Sequence, residues 1–428
     1  MSLSVLTVVH TLARGGTERI ASNYARAYAR LGHRSAVLAY VAGGMRRAEL
    51  ECEGVQVFAV GEDGTLDDGV AWALGQPWDV VQLHRFGWAT PALDPLLDGL
   101  TRASSRPVVV DSNIFGKPDY SQAAQHIDVF LMPSRWQMWK WRKWTRLLVP
   151  RPVGVVLPSA VDLTDFSPLP ATERTQLRQQ HGFAPSDCVV GCIAQPSPVK
   201  WSPALFQAFA RVADTRPHLR LAVTGLPDPY AWFVTDLPEP IRQRVSVLPL
   251  VEGNRALLER YSLLDVFASA GTMGESFGMV FAEALMCGIP IVTKGVVHRD
   301  NSPAEVIGPG GCVAANLNAF ASCMGRVVDD PALRARMVAE GREHLRASFA
   351  SDHLAAEVLR LAASVQTVPN AEREALLARD GWCTHVTEAQ RRALQARMEG
   401  KAPTWQALAR YVLHNPHFYR LWTSRHDA

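Results

Sequence analysis

Two carboxylates eight positions apart, Glu275 and Glu283, stand in the run GTMGESFGMVFAEALMCGIPIV (271–292). On one continuous helix they would lie about 12 Å apart, too far to share one small group. With Glu275 in a loop and Glu283 two turns into a helix that begins after Gly278, both can face one extended ligand. The open N–H groups of Phe277, Gly278, Met279 and Val280 would then meet its anionic part. The plain alternative is an acid near a helix N-terminus and a solvated acid on its flank. A second candidate for anion contact is ARGGTER (13–19), where Gly15 and Gly16 permit close backbone approach after an apolar strand, or simply make a tight turn.

These residues need strands that end where the loops begin. SVLTVV (4–9) is a β-branched run, and TERIASNYARAYARLG repeats apolar residues at helical spacing after the glycine turn. The alternation continues through SAVLAYV, VQVFAV, DVVQLH, PVVVDS and DVFLMP, and predicts a parallel α/β sheet covered on both faces. A second series, CVVGCIA, LRLAVTG, VSVLPL, DVFASA, PIVTKG and GCVAA, predicts a second sheet of the same design. The proline-rich, aperiodic stretch 157–170 reads as the linker. The expected division is 1–160, 161–360 and a helical tail over 361–428 that packs back on the first domain.

The composition narrows the function. With 428 residues, 48% hydrophobic and 20% charged, the chain has length for two full cores and is neither fibrous nor wholly disordered. A net charge of only +3 argues against sequence-independent nucleic-acid binding. The seven cysteines are scattered without a CxxC pair, which argues against a disulfide framework and a zinc site. No apolar run is long enough to span a bilayer and no basic leader precedes the first one, so a cytoplasmic protein is expected.

One segment is locally basic. RWQMWKWRKWTR (135–146) holds four tryptophans and five Lys or Arg with no acid. As a helix it would intermix Trp136, Trp139 and Trp141 with Lys140 and Lys143, a surface suited to the water–lipid interface. Peripheral contact with the inner face of the membrane and a lipid-linked acceptor follow as expectations, against the plainer reading of indoles packed under solvated basic ends.

GESFGMVFAEALMCGIPIV resembles the signature of glycosyltransferase family 4, which runs Glu, x, Phe, Gly, four residues, Glu-Ala, then Gly-x-Pro. Stretches 8–39, 157–168, 189–201 and 259–278 resemble the same family in the expected order. The resemblance implies a GT-B fold, two Rossmann-like domains facing each other across a cleft. It also implies transfer of a sugar with retention from a nucleotide-diphosphate sugar, UDP- or GDP-linked, to a hydroxyl acceptor, with no metal and no other cofactor. No Asp-x-Asp occurs in the chain, in keeping with that. By position in the motif, Glu283 would hold the ribose, Glu275 the donor sugar, and Ser276 to Val280 the sugar and phosphate. Lys200 would neutralise the diphosphate, with Gly15 and Gly16 approaching it from the first domain. Lys200 and Glu275 are thus the expected catalytic residues.

The chain departs from the family at places that bear on activity. Cys192 and Gln195 stand where the family carries arginine, and Ser159-Ala160 replaces an asparagine-glycine. Asn113 occupies the place of a histidine near the reacting carbon, and His84 is the nearest histidine at a comparable strand end. An impaired GT-B protein acting as a partner or regulatory subunit is the alternative these departures raise.

Overall fold

The structure is a computed structural model that describes residues 2–423, so the end of the predicted tail, 424–428, lies outside the described residues. The chain divides into two compact units. The first comprises Met1–Asp162, Phe349–Arg391 and His414–Ala428; the second comprises Leu163–Ser348 and Arg392–Leu413.

In the first unit, strands β1 (Ser4–Thr11), β2 (Arg34–Ala42), β3 (Gln56–Ala59), β4 (Val80–Arg85), β5 (Val108–Asn113), β6 (Val129–Met132) and β7 (Gly154–Val156) form one sheet. All its pairings are parallel, in the order β3-β2-β1-β4-β5-β6-β7. β1 and β4 are therefore neighbours whose following connections run to opposite sides of the sheet. Such a switch point leaves a crevice outside the strand ends where ligands bind in open α/β sheets. The strands read as near-continuous apolar runs because helices cover both faces: Val5, Leu6, Val8 and Val9 of β1 are all fully buried.

The second unit repeats the plan. Strands β8 (Cys188–Ile193), β9 (Leu219–Thr224), β10 (Val245–Leu248), β11 (Val266–Ser269), β13 (Ile291–Lys294) and β15 (Gly311–Ala314) form a parallel sheet ordered β10-β9-β8-β11-β13-β15. Its switch point lies between β8 and β11. A separate parallel pair, β12 (Gly274–Glu275) with β14 (Asp300–Asn301), sits in the loops at the same end. The α/β class and both tandem sheets agree with the sequence reading.

The tail differs from the expectation. The chain enters the first unit at Phe349 rather than at 361, returns to the second over Arg392–Leu413, and comes back at His414. In the first unit its helix Ser351–Val365 lies on the helix Gly16–Arg30, and Arg30 reaches Asp352 and Asp162 at 2.6 and 3.0 Å. In the second unit, Glu399 N–H donates to Val313 O and Ala315 N–H to Glu399 O, so the returning segment bonds along β15. Amphipathic periodicity locates such helices but does not say which core they cover.

The tryptophan segment is the clearest correction. Ser134 caps the helix Arg135–Trp144, its side chain accepting from Gln137 N–H at 3.1 Å. Trp136, Trp139, Lys140, Trp141 and Trp144 are buried, and of the residues expected at a membrane surface only Lys143 is exposed. The cover is the tail: Trp139 Nε1 donates to Glu388 at 3.0 Å, Arg391 lies over the Trp136 and Trp139 rings, and Tyr419 stacks on Trp144 at 4.1 Å. Lys140 and Lys143 lie over Trp144 and Trp139 at 5.2 and 4.2 Å, so indoles and cations satisfy one another inside the unit. These indoles form no lipid-facing surface.

Candidate active site

At the second unit's switch point, β8 runs into a single 3₁₀ turn, Pro198–Lys200, and β11 into the loop that ends at Glu275. Thr272 N–H donates to Val199 O at 3.0 Å, which ties the two loops together. Lys200 Nζ is thereby brought to Glu275, donating to Oε1 at 2.8 Å and Oε2 at 2.7 Å. The pair is partly open, with the lysine side chain 34% exposed and the carboxylate 15%. Glu275 is held from behind through the pairing of β12 with β14, where Gly274 has φ +74°. A Cβ at Gly274 would fall 1.8 Å from Asp300 O, so only glycine lets that pairing close.

Three residues on, Gly278 caps the helix Met279–Met286 in the left-handed conformation, φ 87° and ψ 68°. The helix starts where the sequence reading placed it; Phe281 N–H donates to Gly278 O at 2.9 Å, and the N–H groups ahead of it, at Met279 and Val280, precede the helical hydrogen-bond ladder. Glu283 lies on the buried side of that helix and accepts from Tyr261 Oη at 2.7 Å, with Tyr261 itself fully buried. Tyr261 is a residue the sequence reading missed. Ser276 and Phe277 complete the loop between the carboxylate and the helix, with Phe277 packed into the interior.

Cys192 points into the core with 2% exposure, and burial pushes its thiol up to about 12, so it is neutral and brings no charge to the site. Gln195 is exposed, and its backbone carbonyl accepts from Trp201 Nε1 at 3.0 Å. A cation that sequence reasoning missed stands on the next strand: Lys294 ends β13, which is paired with β11, and burial holds its ammonium below the ordinary lysine range. The signal was a lysine closing an apolar strand, PIVTK, at the ligand end of a parallel sheet.

The scattered cysteines also meet more closely than their spacing suggested. Cys312, Cys323 and Glu399 bring ligand-type atoms within 4.8 Å of one another. Arg326 donates to Cys312 Sγ at 3.1 Å and to the Glu399 carboxylate, so a guanidinium supplies the positive charge there.

The first unit's switch point holds the other predicted residues. Gly15 precedes the helix Gly16–Arg30 with φ 178°, extended backbone open to any residue. What glycine provides here is the absent Cβ, which would lie 1.9 Å from the Glu18 carboxylate. His84, the last residue but one of β4, is 1% exposed, and neither ring nitrogen has a hydrogen-bond partner; burial lowers its pKa to about 3. Asn113 is fully buried, and its side chain is committed to Lys117, accepting from its N–H at 3.1 Å and donating to its carbonyl at 2.7 Å. Both side chains are thus buried, and the polar atoms of Asn113 are engaged by the Lys117 backbone.

Two doubly wound parallel sheets in one chain make up the GT-B fold. Residues 173–344 match the family described as glycosyl transferases group 1. The chain is 28% identical over 201 residues to a GDP-mannose-dependent monoacylated α-(1-6)-phosphatidylinositol monomannoside mannosyltransferase of Corynebacterium glutamicum, covering 45% of this chain and 51% of the relative. It is 31% identical over 212 residues to a D-inositol 3-phosphate glycosyltransferase of Xylanimonas cellulosilytica, covering 48% and 49%. The chain thus spans about half the length of these curated relatives. In fold it matches Anabaena HepE solved with UDP-glucose, with a TM-score of 0.66 at 17% identity over 85% of this chain and 100% of that one.

Proposed function

We propose that the chain is a metal-independent, retaining glycosyltransferase that moves a glycosyl group from a nucleoside-diphosphate sugar to a hydroxyl acceptor. The observation that carries this reading is the Lys200–Glu275 pair at 2.7–2.8 Å, set beside the helix Met279–Met286 in the matched domain. As the bond from C1 to the diphosphate oxygen breaks, negative charge grows on the leaving phosphate. Lys200 and the N–H groups at the helix N-terminus, from Phe277 to Val280, stabilise that charge more than they stabilise the bound donor. The acceptor oxygen forms the new bond to C1, and its proton passes to the leaving phosphate. Glu275 turns from the lysine to the sugar hydroxyls, and Glu283, fixed by Tyr261, takes the ribose. Lys294 supplies the second positive charge in place of the arginine absent at Cys192 and Gln195. Gly15 and Gly16 offer the first unit's backbone to an anion.

The donor class is supported by the GDP-mannose dependence of one relative and by the UDP-glucose bound to a structure of the same fold. The phosphatidylinositol mannoside named for that relative supports a lipid-borne acceptor. Among the described residues no helix is long and apolar enough to cross a membrane, so such an acceptor would be met at a bilayer surface. The test is a thermal-shift panel of UDP, GDP, ADP, CDP and dTDP, followed by transfer assays with the sugar form of the nucleotide that binds. One stabilising nucleotide whose effect disappears in Lys200→Ala is expected; no shift with any of the five would overturn the reading.

A further inference from the structure

The helix Thr404–Leu413 of the second unit reverses the usual sidedness of a surface helix. Its buried residue is Gln406, and Arg410 is turned to Gln395, donating to Oε1 at 2.9 Å. Every exposed residue of the helix is uncharged: Thr404, Trp405, Ala407, Leu408, Tyr411 and Val412. Trp405 is 59% exposed, Leu408 67%, Tyr411 79% and Val412 42%. Trp405, Leu408 and Val412 follow the spacing that shares one helix face, and Tyr411 borders it. Single exposed apolar residues are ordinary; a contiguous stripe of four on a helix whose inner side is polar marks a contact surface.

Charge identifies what covers it. The segment Arg392–Leu413 carries four basic residues and one acid, a net +3 that equals the net charge of the whole chain. The one acid, Glu399, is paired with Arg326, while Arg397 and Lys401, just ahead of the stripe, are exposed. Tryptophan and tyrosine at the margin of an apolar face, with basic residues alongside and no exposed acid on the helix, match the chemistry of an anionic lipid surface. A second copy of the chain would set these same positive charges near one another.

We propose that the Thr404–Leu413 face rests on an anionic lipid bilayer, with Trp405, Leu408, Tyr411 and Val412 entering the headgroup region beside Arg397 and Lys401. As the means by which the chain reaches a lipid-borne acceptor, this rests on the function proposed above. The basic tryptophan helix that the sequence offered for the role is replaced by a segment on the other unit.

The test is co-sedimentation of the full chain with vesicles of phosphatidylcholine alone and of phosphatidylcholine with phosphatidylglycerol, at low and high salt. The comparison is with Leu408→Gln/Tyr411→Gln, two exposed positions outside the donor site. The wild type is expected to bind the anionic vesicles, more weakly at high salt, and the double variant to bind at least about tenfold more weakly. Equal binding by both proteins, or no binding to either vesicle, would overturn the proposal. A wild-type dimer in sedimentation equilibrium that the variant loses would also overturn it, assigning the face to a second copy. Nucleotide thermal shifts on the same samples keep the two readings apart, because vesicle binding without a nucleotide shift would sink the donor site alone.

Discussion

Both sheets carry charged residues to the ends of strands near a switch point, and use them differently. In the first unit Arg85 ends β4 and is buried between Asp111 and Asp119, at 2.9 and 2.8 Å, with His84 and Asn113 buried beside it. In the second unit Lys200 and Glu275 meet at a similar distance but remain partly open. A fully enclosed ion triad is a support, since no ligand reaches it without local opening. An open pair is poised to exchange one partner for a substrate. Topology thus names where a ligand can bind in each unit, and burial decides which charged group is free to answer it.

The largest expected effect separates those two kinds of charge. Arg85→Met leaves two buried carboxylates unpaired, and loss of about 3–5 kcal/mol of stability is expected, read in urea unfolding. Lys200→Ala should lower turnover by about 10²–10³-fold, as removal of one preorganised charge-stabilising group does, while the unfolding midpoint stays close to wild type. If Lys200→Ala instead cost as much stability as Arg85→Met and spared turnover, the contrast between the units would fail.

A smaller effect sharpens the second unit's side of the contrast. Glu283→Gln removes an ionised partner from the expected ribose contact and should weaken donor binding by about ten- to a hundredfold, seen in KM with the sugar nucleotide. Tyr261→Phe removes the hydrogen bond to Glu283, at 2.7 Å, and leaves its carboxylate in place, so a change of roughly tenfold or less is expected. Equal losses in both variants would mean that Tyr261 touches the donor itself.

How much of this was legible follows from where the information lies in the chain. Strand-turn-helix alternation is local, so both sheets, and the start of the helix after Gly278, were readable from spacing alone. Lys200 and Glu275 were marked by a resemblance, but their direct bond depends on loops that close 75 positions apart in the chain. No periodicity reports such closure. The tryptophan helix was misread for a related reason: amphipathic and aromatic residues suit a bilayer and a protein interior alike, and the deciding partners, Glu388, Arg391 and Tyr419, lie more than 240 positions away. The same ambiguity hid the outward apolar stripe of Thr404–Leu413, since a helical wheel does not reveal which side is covered.

The smallest effect tests the first unit's closed edge through His84. Its folded pKa of about 3 lies below the ordinary 6.5 because burial disfavours the imidazolium, and no acceptor compensates. Below pH 6.5 the unfolded chain therefore binds a proton that the folded one refuses, so the stabilising difference is complete above pH 6.5 and is lost as pH falls toward 3. The slope is at most about 1.4 kcal/mol per pH unit, and between pH 7.5 and 5.5 the loss should total about 1.4 kcal/mol. His84→Leu keeps an apolar filling and removes the titration. The difference in urea midpoint between wild type and variant should narrow or reverse on going from pH 7.5 to 5.5, since only the wild type loses the His84 contribution. A difference that stays constant across that range would mean that His84 takes up a proton as readily in the folded protein as in the unfolded chain. The first unit's edge would then be open to water, and the contrast with Lys200 and Glu275 would rest on charge alone.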